Sequence, residues 1–283
     1  MTGIEKGVRP LFISVAFAML SIDAMAQSIS VGVEATRDRF TYHFDNPSSF
    51  DTPQIVPHFF EQTYVADNVG LVATLHYVAG IPWETSGAAT LPRTLPATDY
   101  DTFFDPDGTV IVSGTSGEAR IHSFRVSQRG ELGRSGPVAF VAGYVVRVDR
   151  ANFGIGHKTI ARNGRLVDAF DVTAPEMTSS LVQEFFFGAH GRLDVGSGWH
   201  MTIGGEAAPT TTGRLAIELP AKYPGQQFVF TATSLTATAR LTLSRGSNRH
   251  PIELSIDAAH AWRYSSENYL SRERVAIRVA AGL

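Results

Sequence analysis

The C-terminal part of the chain, residues 226–283, alternates between apolar and polar residues with a period of two. Two short polar turns, at 244–248 and 265–268, divide this stretch into three runs, and the last run carries an apolar residue at every second position. A period of two is typical of a β-strand whose two faces meet different environments. Three such runs joined by turns predict an antiparallel meander.

Two classes of protein produce this alternation. A soluble β-sandwich buries its apolar face in a core, whereas a transmembrane β-barrel turns its apolar face to lipid and its polar face inward. The final run ends on the last residue, Leu283, and a terminal alternating strand is typical of barrels in the bacterial outer membrane. The sequence therefore favours the barrel, with the sandwich as the alternative.

The N-terminus indicates export from the cytoplasm. A basic start precedes an apolar stretch at 11–20 and the small-x-small sequence Ala24-Met25-Ala26. This is the pattern of a secretory signal peptide, and it is too short for a transmembrane helix. The alternative is a buried helix of a cytosolic domain. We expect residues 1–26 to be a signal peptide and residues 27–283 to form one β-barrel domain in the bacterial outer membrane.

Charge and composition narrow the possible partners. The net charge of −3 argues against a nucleic-acid partner. The chain has no cysteine, which excludes a disulfide framework and a thiolate metal site. The sequence Asp105-Pro106-Asp107-Gly108 matches only a fragment of a calcium loop and predicts a turn instead. We expect a monomer without cofactor or metal, whose partners are outer-membrane lipid and lipopolysaccharide.

The alternation and the turn residues predict ten strands, an even number that leaves both termini in the periplasm. The strands are predicted at 28–44, 58–66, 69–80, 118–128, 137–162, 165–194, 198–219, 226–243, 249–263 and 270–283. Short periplasmic turns are expected near residues 67, 132, 196 and 246, and the longer connections are expected outside. The longest of these connections is predicted between Ile81 and Gly117.

Two of the predicted strands flank Asn163-Gly164, a residue pair typical of type I′ hairpins. Each arm of this hairpin is roughly twice the ~9–11 residues that a strand needs to cross a bilayer. We therefore expect the hairpin to rise above the membrane. Pro175 is predicted to interrupt its second arm, because proline cannot donate a backbone hydrogen bond.

A ten-stranded barrel of this height, with five outer loops and a mature chain of this length, resembles the omptins, a family of outer-membrane endopeptidases. The resemblance implies cleavage by a water molecule held between an acidic pair in the second outer loop and an Asp-His pair near the fourth. Asp99-Tyr100-Asp101 falls in the predicted second outer loop and matches the Asp-x-Asp spacing of the acidic pair. Asp99 and Asp101 are therefore the candidate catalytic residues, with ordinary solvated loop acids as the alternative.

The second half of that site is missing from the sequence. Residues 207–225 contain Glu218 as the only acid and no histidine. A replacement His-Asp pair could form near the tip of the long hairpin, from His157 with Asp168 or Asp171. His122 and His157 are the histidines that the predicted outer strands place nearest to the candidate acids.

A second set of polar residues falls on the inward parity of the predicted strands. It comprises Glu184, His190, His200, Glu206, Arg240, Glu253 and Asp257. The pattern predicts a charged network that fills a narrow lumen.

Two functional hypotheses follow. In one, the chain is an omptin-like barrel that has lost or rebuilt its peptidase site. In the other, it is a non-catalytic barrel that binds a ligand or a surface, as an adhesin does. A pore is disfavoured, because ten strands leave a lumen that side chains largely fill.

Overall fold

The computed structural model describes residues 26–45, 59–91, 94–104, 107–172, 176–218, 224–246, 251–263 and 268–283. The strands are β1 (Ala26–Asp45), β2 (Phe59–Ala79), β3 (Ile81–Thr90), β4 (Thr94–Phe104), β5 (Val110–Ser135), β6 (Val138–Arg162), β7 (Arg165–Val172), β8 (Glu176–Gly196), β9 (Trp199–Glu218), β10 (Phe228–Gly246), β11 (Pro251–Arg263) and β12 (Tyr269–Gly282). No helix in the described ranges is long and apolar enough to cross a membrane.

These twelve segments make ten barrel strands, because β3 and β4 share one position in the ring and β7 and β8 share another. β3 and β4 both lie between β2 and β5. β7 and β8 both pair with β6. The predicted interruption at Pro175 lies outside the described residues.

The sheet closes where β1 pairs antiparallel with β12, from Ser30 opposite Gly282 to His43 opposite Tyr269. Consecutive barrel strands are antiparallel neighbours around the whole ring. The first and last strands therefore begin and end at one rim of the barrel, as the even strand number predicts.

The two faces of the strands meet different environments. On β12, the side chains of Val275, Ile277 and Val279 are 48% to 56% exposed, whereas the alternating Ala276 and Arg278 are 2% and 8% exposed. The same outward apolar pattern continues around the lower half of the barrel, through Ile29, Val31, Val33, Leu71, Phe140, Phe185, Phe187, Ile203, Leu241, Leu254 and Ile256. A closed barrel with an apolar outer belt and polar interior is the architecture of outer-membrane proteins. The chain is thus an outer-membrane β-barrel, and the sandwich is excluded.

The predicted strand count is correct, but three predicted segments are wrong. The turn expected near residue 67 does not exist, since β2 runs through it and Asn68 is buried on the inner face. The segment between Ile81 and Gly117, expected to be loop, contains β3, β4 and the start of β5. The turn expected near residue 132 lies at Gly136, because β5 continues to Ser135. The prediction divided β2 into two strands and missed the strand formed by β3 and β4, so the two errors cancelled and the total remained ten. The first periplasmic turn lies instead at Gly80, which has a φ of 76°.

The outer half of the barrel is built mainly from strands. Between β4 and β5 the structure describes residues 107–109, and Asp107 of the predicted Asp-Pro-Asp-Gly sequence lies in a turn, whereas Asp105 and Pro106 lie outside the described residues. There the Thr109 backbone N–H donates to Asp107 Oδ1 at 2.9 Å, and this hydrogen bond holds the pKa of the Asp107 carboxyl below its usual value. The long hairpin turns at Asn163 and Gly164, whose φ angles of 46° and 78° confirm the predicted type I′ turn.

The backbones of β1 and β12 approach closely at the seam that closes the barrel. A Cβ at Gly32 would lie 2.1 Å from the Val279 carbonyl oxygen, whereas a Cβ at Gly87 on β3 meets nothing within 4 Å. We expect Gly32→Val to lower the free energy of unfolding by at least ~1–3 kcal/mol, because the backbone at the seam must move. Urea titration of the barrel refolded in lipid vesicles measures this change. Gly87→Val is the matched control, and equal losses in the two variants would contradict the tight seam.

Candidate functional site

The candidate catalytic residues Asp99 and Asp101 lie in strand β4, and the prediction that places them in an outer loop is wrong. The strand forms there because both of its neighbours offer a continuous edge. The Asp99 backbone pairs with Thr115 and that of Asp101 pairs with Ser113. On the other side of β4, both positions pair with residues of β2. A regular ladder therefore holds the backbone of both residues.

Residues that pair side by side on neighbouring strands form a row across the sheet. The rows of Asp99 and Asp101 extend from β12 to β7. The row of Asp99 is Arg272, Phe40, Tyr64, Asp99, Thr115, Lys158 and Phe170. The row of Asp101 is Leu270, Tyr42, Gln62, Asp101, Ser113, Ile160 and Asp168. Their members Leu270, Tyr42, Ser113 and Arg272 are buried on the lumen side. Neither row contains a histidine.

The predicted replacement pair does form, between His157 and Asp171. The His157 Nδ1 lies 3.0 Å from Asp171 Oδ1, with the two side chains 53% and 78% exposed. His157 pairs with Ser116, one position along from Thr115 in the row of Asp99. Because successive rows of a sheet face opposite sides, His157 belongs to a row on the other face of the wall from the candidate acids. Asp168, the other predicted partner, instead accepts a hydrogen bond from the Ala169 N–H at 2.9 Å.

His122, the second predicted partner, lies on the outer face of β5. It pairs with Arg150 on β6, and the preceding Ile121 is buried on the inner face. The structure therefore does not bring His122 to the candidate acids.

The upper lumen is closed by apolar side chains. This apolar plug comprises Tyr42, Val182, Leu215, Ile217, Phe230, Ala232 and Leu270, with Phe40 packed against it. Tyr42 and Leu270 belong to the row of Asp101, and the other members come from β8, β9 and β10. Apolar side chains of β8, β9 and β10 thus pack against Tyr42 and Leu270 of this row.

The lower lumen holds a network of arginines and carboxylates, and its first cluster centres on Glu34. The Glu34 carboxylate contacts Arg125 at 2.7 Å, Arg274 at 2.8 Å and Arg278 at 2.9 Å. All four side chains are at most 16% exposed. Three strands that are far apart in the sequence are thereby tied to one carboxylate.

A second cluster joins Asp38 and Asp149 through two arginines. The Asp38 Oδ2 lies 2.5 Å from Arg147 Nη2 and 2.5 Å from Arg272 Nη2. Arg147 Nε also donates to Asp149 at 2.7 Å, and the Ser123 hydroxyl donates to the same carboxylate at 2.5 Å. Each buried charge in this cluster has a partner of opposite sign, which offsets part of the cost of removing it from water.

The third cluster joins both walls of the barrel. Arg129 contacts Glu84 at 2.6 Å and Glu206 at 2.5 Å, and His190 Nε2 lies 3.0 Å from the same Glu206. A second arginine of this cluster, Arg240, contacts Asp257 at 2.7 Å. The arginine of β5 is thus linked directly to β3 and β9, across the barrel interior.

The lower-lumen network contains arginines and carboxylates in equal number. Seven arginines, Arg125, Arg129, Arg147, Arg240, Arg272, Arg274 and Arg278, face seven carboxylates, Glu34, Asp38, Glu84, Asp149, Glu184, Glu206 and Asp257. A cavity of about 80 Å³ remains between them and is lined in part by Glu184. A space of this size and polarity suits a few water molecules. In the part of the chain that the structure describes, no three His, Asp or Glu side chains are placed to hold a metal ion.

The predicted lumen network is therefore confirmed, although the sequence reasoning found only part of it. His190, Glu206, Arg240 and Asp257 are members by direct contact, and Glu184 lines the cavity. His200 and Glu253 share one row with Ser244 at the periplasmic end. The arginines of β12 were missed. Their signal was present, because Arg272, Arg274 and Arg278 alternate with the apolar residues of the last strand.

Comparisons with known proteins show the fold. The outer membrane protease OmpT from Escherichia coli matches with a TM-score of 0.63 and 8% identity, over 90% of this chain and 95% of that one. The β domain of the Bordetella autotransporter BrkA matches at 0.37 and 11% identity, over 91% and 98% of the two chains. The translocator domain of NalP from Neisseria meningitidis matches at 0.38 and 8% identity, over 98% and 96%.

No family model matches the chain, and no curated protein matches it in sequence. The OmpT comparison supports the omptin-like layout that the sequence analysis expects, at the level of a ten-stranded outer-membrane barrel. At this low identity the likeness concerns the fold alone.

The lumen network should contribute strongly to stability. We expect Asp38→Asn to lower the free energy of unfolding by about 3–5 kcal/mol, because Arg147 and Arg272 then keep buried charges without their partner. The matched control is Asp67→Asn, since Asp67 lies 3.9 Å from Arg37 in a pair whose side chains are 76% and 70% exposed. Its loss should be below about 1 kcal/mol. Urea midpoints in lipid vesicles measure both, and losses of similar size would show that the network is not stabilising.

Proposed function

We propose that this chain is a non-proteolytic outer-membrane barrel of omptin-like layout, exported by the signal peptide at residues 1–26. The observation that carries the proposal is the surroundings of Asp99 and Asp101. Their rows contain no histidine in the described residues, and two members of the row of Asp101, Tyr42 and Leu270, belong to the apolar plug. The acidic half of an omptin-like site is therefore present in sequence without the basic half.

The chemistry explains why this matters. Water attacks a peptide bond only after a base takes its proton, and loss of a positioned general base typically lowers the rate by ~10²–10⁴-fold. A carboxylate is a weaker base than an imidazole at neutral pH. Because the described residues of these two rows include no imidazole, Asp99 and Asp101 lack within them the group that would complete the reaction.

The His157–Asp171 pair does not replace the missing half. It lies on the opposite face of the wall, and the β-ladder between β5 and β6 fixes the residues of that face in register. A substrate held between the two sites would have to pass through the sheet. The pair therefore supports a structural role in joining β6 to β7.

This proposal predicts that the refolded barrel, supplied with lipopolysaccharide, does not cleave a fluorogenic dibasic peptide. Fluorescence release over time is the measurement, with Asp99→Ala and Asp101→Ala as comparison variants. Turnover that disappears in either variant would overturn the proposal and show that a base reaches the acids from elsewhere. Turnover that survives both changes would indicate a different site or a contaminating protease, which repeated purification distinguishes.

A basic cluster on the outer wall supports lipopolysaccharide as a partner. Arg120, His122 and Arg150 lie together on the outer faces of β5 and β6, where Arg150 pairs with His122. They follow directly above the apolar belt, which on β6 runs from Phe140 to Val148. Among the described residues, no carboxylate pairs with either arginine. Cations at this height fit the phosphate groups at the outer surface of the membrane.

We expect the double variant Arg120→Glu, Arg150→Glu to bind lipopolysaccharide at least about tenfold more weakly, because two cations near a charged surface become anions. A gel-shift titration of the refolded barrel with lipopolysaccharide measures the change. The control is Arg134→Glu with Arg192→Glu, which makes the same charge change at the periplasmic rim. An equal effect of the two double variants would mean that net charge alone governs the interaction.

The alternative function is a non-catalytic barrel that binds a ligand or surface, and one observation favours it. The hairpin of β6 and β7 exposes apolar side chains far from the lipid belt, with Leu166 65% and Val167 54% exposed. Apolar residues exposed to water in this way often mark interaction sites.

A further inference from the structure

The hairpin formed by β6 and β7 has an unpartnered edge. β6 is continuous from Val138 to Arg162, and β7 folds back along it from Arg165 to Val172. On its other side β7 pairs with no strand in the described parts of the chain, where β9 reaches Glu218, opposite Met177 of β8. Among the described residues, a row of backbone N–H and C=O groups therefore lines the free edge of β7.

This edge stands well above the membrane. The apolar belt on β6 ends at Val148, and the hairpin residues that pair with β7 begin at Gly156. At ~3.3 Å per residue, the intervening strand is roughly 25 Å long. The edge is therefore presented to the cell exterior.

The side chains along the edge are suited to contact with a partner. Leu166, Val167 and Phe170 are 65%, 54% and 43% exposed. Natural edge strands are usually protected by charges, proline or bulges. Here a register shift lies between Ala161 and Ile160, yet the apolar side chains remain exposed.

From these features we infer that the free edge of β7 binds an extended peptide segment of a partner by strand addition. In this mode, backbone hydrogen bonds give affinity and the alternate side chains give selectivity. The inference does not depend on the absence of peptidase activity, so either can fail without the other.

A second copy of the chain does not fit this edge. Two barrels in one membrane share the same orientation, so their β7 strands run in the same direction. A twofold axis along the membrane normal would place each residue opposite its own copy, with donors facing donors. In a parallel ladder, a residue whose backbone groups point toward the partner strand lies opposite a residue whose backbone groups point away from it. The symmetric pair would place identical residues opposite each other and therefore cannot form this ladder.

The charges of β7 specify the chemistry of the partner segment. Asp168 is exposed, and no cation pairs with it in the described residues. Asp171 is exposed beside His157. A partner strand that pairs antiparallel with this edge makes favourable cross-strand pairs if it carries basic residues opposite the two aspartates and apolar residues opposite Val167 and Phe170. The partner is therefore an extended segment in which basic and apolar residues recur at these spacings.

The test uses a labelled, capped peptide containing Lys-Val-Thr-Lys-Val-Val and the full barrel refolded in detergent. Fluorescence anisotropy measures binding, and mass spectrometry of the peptide reports any cleavage separately. We expect saturable binding that weakens about tenfold or more in Asp168→Lys, because like charges then oppose each other. Glu118→Lys, the same charge change at an exposed position on β5, should leave binding unchanged.

Two peptide controls test the mode of binding. A version with N-methylated backbone amides should bind at least about tenfold more weakly, because strand addition needs the amide donors. A version with serine in place of valine should also bind more weakly. Equal binding of the N-methylated peptide would overturn strand addition. Equal effects of Asp168→Lys and Glu118→Lys, or no binding of the parent peptide, would overturn the site on β7.

Discussion

Hydrocarbon offers no hydrogen-bond partner to a polypeptide backbone, and this constraint determines the architecture of the molecule. Each unsatisfied N–H or C=O in lipid costs several kcal/mol, so a sheet in a membrane must close on itself. The register of β1 against β12 meets this requirement. Once the sheet is closed, alternate residues of each strand face the lipid and the interior. This alternation determines which side chains meet inside the barrel.

The interior solves a second problem, which is how to fill a narrow barrel with polar side chains. Arginine suits this role because its planar guanidinium has five donors and can contact several carboxylates at once. Glu34 receives three such groups, and Asp38 receives two. Together with the apolar plug above them, these contacts occupy much of the described lumen, and cavities of about 80 Å³ and 30 Å³ remain between the side chains.

The sequence predicts much of the fold because lipid imposes one strict rule. Val275, Ile277 and Val279 alternate without exception, and Asn163-Gly164 encodes its turn locally. The errors arose where residues typical of turns lie within strands that pair with their neighbours in the folded barrel.

The dipeptide Asp67-Asn68 resembles a turn, yet β1 pairs with β2 on both sides of it without a break. The prolines of the segment 81–104 hid β3 and β4, although Pro82 and Pro96 lie near strand ends where a missing donor is tolerated. The partners within the lumen could not be predicted, because contacts such as Arg278 with Glu34 join opposite ends of the chain. Asp99 and Asp101 were predicted in a loop, whereas they lie in β4.

The length of β5 and β6 has a mechanical consequence. Both strands run unbroken from the periplasmic turn at Gly136 to the outer rim, and they pair with each other along this whole length. A pulling force applied to the outer part of β6 is therefore carried to the periplasmic side by two continuous, hydrogen-bonded backbones. The neighbouring strands receive that tension through lateral hydrogen bonds.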